Sequence, residues 1–345
     1  MTESHLHYTH RPGHSATRSL KRKHCKNGSP ESRYIPGDEI VILGLPLTGN
    51  RKLAPVLTHD YDPPKNVDSG SGFDVRIYTL GRFSLVLNNQ PVHFTTKSKK
   101  KPLELLKALV AFGGREVGEA HLSDALWPGH DGDAAHRALA TTLHRLRKLL
   151  RKINALEHRD AKLSLSPEFC WIDSWQFERL IGDTINLNTE HSDWNVANRL
   201  ERAIKLYKGP FLGVEEPQAW DLLMRERLRS KYIRALHALG RYYRYTGNCE
   251  QSIITYETAL ETDGLAESLY RGLMLCYAGN GDRAKALAVF HRCRETLFTV
   301  LGVSPSRELR ALYDSFRRGD TGKADEFCFR CRNTGTKQKS FNRIS

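Results

Sequence analysis

Apolar and polar residues alternate along FDVRIYTLGRFSLVLNNQPVHF at residues 73–94, with Val75 and Ile77 in phase, then Phe83, Leu85 and Leu87. A period of two is what a half-buried strand requires. With Asn88-Asn89 as a turn signal, the stretch predicts a small antiparallel sheet. From Pro102 the period becomes helical: Leu103, Leu106 and Val110 share one side, and Gly113-Gly114 is the stop. A second short helix covers residues 119–127 and ends at Pro128, whose ring cannot continue it. Asp131-Gly132-Asp133 supplies an N-cap for a third helix. Beyond it LEHRDAKLSLS alternates again and turns near Arg159-Asp160, as a β-hairpin does.

From about Trp175 nearly everything reads helical, and the pattern repeats. Leu239, Tyr243, Gly247, Ser252, Tyr256 and Ala259 are followed 34 residues later by Leu273, Tyr277, Gly281, Ala286, Phe290 and Cys293. Large residues align with large, glycine with glycine, small with small. This is the pattern of tetratricopeptide (TPR) helix pairs, each of which buries its apolar face against the next.

The expected fold is mainly α with a small β component. A winged helix-turn-helix domain (residues 73–172) precedes an α-helical TPR-like domain (residues 173–318). Residues 1–72, basic and rich in His, Ser, Pro and Gly, bury too little apolar surface to offset the entropy of ordering, and are expected to be disordered. A full upstream sensor domain is not expected to fit there. Residues 319–345 are likewise expected to form a disordered tail.

The longest strongly apolar run, IVILGLPL at residues 40–47, falls far short of the roughly 20 residues of a spanning helix. With no secretory signal either, no membrane partner is expected and the chain is placed in the cytoplasm, associated with the nucleoid. Seven cysteines scattered over 345 residues do not resemble a disulfide framework; most are expected reduced and several buried.

The formal net charge of +14 draws the chain toward polyanions. That charge concentrates in HRALATTLHRLRKLLRK, which holds six Lys or Arg residues between His136 and Lys152 and no acid. Leu139, Leu143, Leu146 and Leu150 follow helical spacing and form one apolar stripe. Arg137, Thr141, His144 and Lys148 follow the same spacing on another face, which Arg145, Arg147, Arg151 and Lys152 flank or extend. Basic residues on an amphipathic helix can be simply a solvated face. Here, however, no Glu or Asp occurs across residues 134–156, although i,i+4 ion pairs would stabilise the helix and like charges oppose it. An uncompensated face of this kind fits a nucleic acid. Helix, short helix, turn, basic helix and hairpin is the order of a winged helix-turn-helix, whose last helix enters the major groove of double-stranded DNA. Phosphate contacts are expected from Lys97, Lys99, Lys100 and Lys101 before the first helix, and from His158, Arg159 and Lys162 on the hairpin.

Four stretches carry a further likeness: LSDALWPGHDGDAAHRALATTLHRLRKLL, CWIDSWQFERLI, LYKGPFL and LGVSPSRELRALY. Together and in this order they resemble the bacterial transcriptional activators of the antibiotic regulatory protein family over residues 73–318. The resemblance implies binding to promoter direct repeats by side-by-side protomers, a homodimer on DNA, and recruitment of RNA polymerase through a helical domain that contacts proteins. By position, Arg137, Thr141, His144, Arg145 and Lys148 match the exposed face of that family's recognition helix. DAKLSLS departs from the pattern in lacking a Gly-Tyr pair. Neither a phosphate-acceptor receiver nor an ATPase module is recognised in the chain.

Other features are weaker. Cys328-Phe-Arg-Cys331 is half a zinc pattern without a second pair, and the His-rich start is a polar low-complexity tail, so no metal or cofactor is expected. Gly319-Asp-Thr-Gly-Lys323 lacks the spacing of a phosphate loop. No catalytic pair is found, so an enzyme is not expected. Tyr242, Tyr243, Tyr245, Tyr256, Tyr270 and Tyr277 read as packing between helices, with a ligand or peptide groove as the alternative. Trp220, Arg225 and Arg227 are placed at the junction between domains. The competing function is a TPR-type protein-interaction adaptor with a degenerate winged helix.

Overall fold

The computed structural model describes residues 72–93, 100–182 and 193–319. Its elements run β1 (Val75–Tyr78), β2 (Ser84–Leu87), β3 (Gln90–Pro91), α1 (Lys100–Ala111), β4 (Val117–Gly118), α2 (Glu119–Leu126) and α3 (Gly132–Leu150). After a single 3-10 turn come β5 (Leu156–Arg159), β6 (Lys162–Leu165) and β7 (Cys170–Ile172). The helical half holds α4 (Asp173–Ile181), α5 (Trp194–Leu206), α6 (Leu222–Tyr245), α7 (Cys249–Thr262), α8 (Glu267–Gly279), α9 (Arg283–Leu301) and α10 (Arg307–Arg318). The long apolar run at residues 40–47 lies outside the described residues.

The first sheet has the order β3-β2-β1-β7. Asn88 and Asn89 both take positive φ, as the tight turn between β2 and β3 requires. Alternation predicts antiparallel pairing only, and β1 does pair that way with β2. Its other edge pairs in parallel with β7, Val75 opposite Cys170 and Ile77 opposite Ile172, so the sheet is mixed. A run as short as Cys-Trp-Ile, buried on both faces, shows no alternation to reveal it as a strand. The second sheet, β4-β6-β5, joins the hairpin to the strand that leads into α2.

Trp175 of α4 fastens the helical half to the winged-helix half. Its indole Nε1 donates to the carbonyl of Gly113 at 3.1 Å, and a Cβ on Gly114 would meet the ring at 2.5 Å. Only glycine lets the end of α1 approach that closely. A second fastening uses the LYKGPFL stretch: Leu80 bridges Phe211, and Gly81 N–H donates to the Pro210 carbonyl at 2.9 Å. Gly81 and Gly209 lie back to back here, a Cβ on Gly209 reaching within 3.2 Å of the Gly81 Cα. Arg225 ties in the same loop, donating to the Leu212 carbonyl at 3.0 Å while paired with Asp221, and Arg227 pairs with Glu178 at 2.8 Å.

The repeat read from the sequence is two helix pairs, α6–α7 and α8–α9. Gly247 and Gly281 end the first helix of each in positive φ. Asn248 and Asp282 cap the second. Ser252 and Ala286 are fully buried where the helices cross. α10 closes the stack, with Tyr313 stacked on Phe290 at 4.2 Å.

Candidate nucleic-acid interface

α3 begins where Asp131 accepts the N–H of Ala134 at 2.6 Å. Nineteen residues long, it spans about 28 Å. Leu139, Leu143, Leu146 and Leu150 are all buried, joined by Ala135 and Thr142. This seam anchors the helix against α1 and α2 and so fixes which residues face out. Arg137, Thr141, His144, Arg145, Arg147 and Lys148 are all exposed, and Arg151 is exposed at the left-handed residue that ends the helix. Thr141 donates its hydroxyl to the Arg137 carbonyl at 3.0 Å, so the helix itself uses its one side-chain donor. Among the described residues no carboxylate lies within ion-pair distance of Arg137, Arg145, Arg147, Lys148 or Arg151.

The hairpin of β5 and β6 turns at Asp160-Ala161, one residue beyond the position read from the sequence, and both residues have positive φ. The Ala161 carbonyl accepts Glu119 N–H at 2.9 Å, which ties the turn to the start of α2. Arg159 is exposed at the tip. Lys162 is exposed too, 3.8 Å from Glu116.

Several basic residues are occupied within the fold. His158 Nε2 lies 2.7 Å from Glu119. Lys101 pairs with Glu104 at 2.8 Å, donates to the Leu126 carbonyl and lies over Trp127, so it serves the packing of α1 on α2. Lys152 does not extend the outer face of α3: it turns back to Asp74 at 2.5 Å and lies over the Phe169 ring. Helical spacing misplaced it because the helix ends at Leu150 and Arg151 reverses the chain. Lys100 is exposed at the first residue of α1; Lys97 and Lys99 lie outside the described residues.

Cys170, Cys249, Cys276 and Cys293 are buried thiols. Burial pushes Cys170 and Cys293 up to about 12, far from nucleophilic character at neutral pH. Cys25, Cys328, Cys331 and the His-rich start lie outside the described residues. Of the tyrosines, Tyr270 donates to the Gly264 carbonyl and Tyr243 to Glu201 at 2.6 Å, both holding helices together. Among the described residues no helix is long and apolar enough to cross a membrane.

Residues 172–317 match the family model of the bacterial transcriptional activator domain. The transcriptional regulatory protein MoaR1 of Mycobacterium tuberculosis is 23% identical over 253 residues, covering 71% of this chain and 79% of its own. MoaR1 of Mycobacterium bovis matches to the same extent. Among solved structures, Mycobacterium tuberculosis EmbR in complex with a low-affinity phosphopeptide is similar in fold. It has a TM-score of 0.62 and 21% identity, covering 77% of this chain and 71% of that one. A winged helix-turn-helix joined to stacked helix pairs thus defines the class as transcription regulator. Within it, the chain carries a bacterial transcriptional activator domain at residues 172–317.

Proposed function

We propose that the chain is a sequence-specific activator that binds double-stranded DNA through α3 and hands the bound promoter to RNA polymerase. The observation that carries this reading is the exposed, acid-free face of α3. A helix about 10–12 Å across fits a major groove about 12 Å wide, and arginine can bond a guanine edge in two places. Arg137, Thr141, His144, Arg145 and Lys148 face the bases. Arg151, Lys100, Arg159 and Lys162, with Lys97 and Lys99, hold phosphates on either side and fix the register. Protomers lie side by side on direct repeats, forming a homodimer on DNA, and the domain at residues 173–318 makes the protein contacts. The protein acts in the cytoplasm, on the nucleoid.

Selection of bound sequences from a random DNA pool tests this. The expected result is an enriched motif in two tandem copies at fixed spacing. A pool that shows no enrichment, beside one protein that co-purifies stably, would instead make the chain an adaptor.

A further inference from the structure

α6 and α8 are the first helices of the two successive pairs, and their facing sides line a solvent-open cavity of about 300 Å³. It is lined by His237, Arg241 and Arg244 of α6, Tyr256 of α7, and Arg271 and Leu275 of α8. His237 and Arg271 stand 34 residues apart, as do Arg241 and Leu275, so the lining is the repeat's own inner face. Three arginines line the cavity, and no Asp or Glu is among the lining residues described.

The floor of the cavity is the Tyr256 ring. It passes between two glycines, where a Cβ on Gly240 would meet it at 2.9 Å and one on Gly272 at 2.4 Å. Its hydroxyl is wholly buried and has no hydrogen-bond partner among the described residues. A buried hydroxyl left unpaired costs stability, and a phenylalanine would avoid that cost. Arg241, Arg244 and Arg271 all act on this phenol, pulling against the burial that raises its pKa. The phenol oxygen of Tyr256 is thus a buried donor without an acceptor among the described residues, in the wall of a cavity that Arg241, Arg244 and Arg271 also line. Arg241 and Arg244 also make other interactions in the fold, which the five N–H donors of a guanidinium accommodate.

We propose that this cavity binds a small phosphorylated molecule. Arg241, Arg244 and Arg271 hold its phosphate, Tyr256 donates to it from below, and the organic part rests on Tyr245 and Leu275. Guanidinium forks match phosphate oxygens in geometry. A phosphate monoester offers three strong acceptor oxygens to these donors, more than one carboxylate provides. The volume lies at the small end of ligand pockets, about 300 to 1,000 Å³, and suits a metabolite rather than a chain. The site is independent of the α3 surface and does not require that surface to bind DNA.

Isothermal titration of the full chain with inorganic phosphate, adenosine monophosphate and malonate, at constant ionic strength, tests the proposal. Saturable one-to-one binding of a phosphate probe, tighter than malonate, is expected. Arg244→Gln combined with Arg271→Gln should weaken it by at least about tenfold, the equivalent of one charge-assisted hydrogen bond. Tyr256→Phe should also weaken it without lowering the melting temperature of the unliganded chain. Charge reversal at Arg137, Arg145 and Lys148 should leave it unchanged, which separates this site from DNA binding. The proposal is overturned if neither phosphate probe saturates, if malonate binds as tightly, or if the glutamine variant, still folded, keeps its affinity.

Discussion

The carboxylate of Asp173 accepts the backbone N–H of Thr79 at 2.7 and 2.8 Å and the Thr79 hydroxyl at 2.7 Å, across 94 residues of sequence. Leu80 N–H joins them at 2.8 Å. These donors stand just past β1, where no strand partner takes them, and buried N–H groups must be paired. The first residue of α4 thus completes the exit of β1 and couples the two halves. Asp173→Ala should cost on the order of 3–5 kcal/mol in urea unfolding, because it strands two backbone donors. Thr79→Val should cost about 1 kcal/mol.

His237 gives a pH dependence of definite sign. Burial first, then Arg241 and Arg244, lower its pKa from 6.5 to about 4. The unfolded chain therefore takes a proton before the folded one. Stability from this group is complete above about pH 6.5 and is lost as pH falls toward 4, on the order of 2–3 kcal/mol. Asp173 acts oppositely in an overlapping window, since burial pushes it up to about 6 against its hydrogen bonds and the folded chain holds that proton more tightly. The two slopes oppose each other in the wild type, so variants must separate them. Chemical denaturation from pH 7 to 4 should show His237→Gln losing less stability on acidification, and Asp173→Asn losing more, than the wild type.

The packing of Tyr256 predicts opposite effects at neighbouring positions. Gly272→Ala should destabilise by about 1–3 kcal/mol, since the new methyl overlaps the ring. Tyr256→Phe should stabilise the unliganded chain by about 1 kcal/mol, removing a hydroxyl without a partner. Thermal unfolding distinguishes the two.

Two lysines four residues apart should behave differently on DNA. Lys148 is exposed on α3, and Lys148→Ala should reduce the log-log salt slope of binding by about 0.9. Lys152 is committed to Asp74, so Lys152→Ala should leave that slope unchanged.

Local order was the legible part of this chain. The leucine stripe of α3 and the Asp131 cap are set by near neighbours, and the 34-residue spacing exposed both helix pairs together with their positive-φ glycines. α1 starts at Lys100, two residues before the expected Pro102, because a proline in the first turn removes an N–H that has no helical partner. What the sequence withheld is non-local: β7 gains its meaning from β1, Asp173 from Thr79, and Lys152 from Asp74. The arginine cavity was present in the repeat at His237 and Arg271, but aligning the large and small packing positions passed over the polar ones between them. Which surface residues reach DNA depends on groups that spacing alone does not locate, as His158 beside Glu119 illustrates.

Fluorescence anisotropy of a selected promoter duplex, with the full chain carrying Arg137→Glu, Arg145→Glu and Lys148→Glu together, tests the account most directly. The three side chains are exposed, so the melting temperature should hold while affinity falls at least about a hundredfold and the salt slope flattens. Undiminished affinity with the wild-type slope, in a variant that remains folded, would contradict the assignment of α3 to the groove.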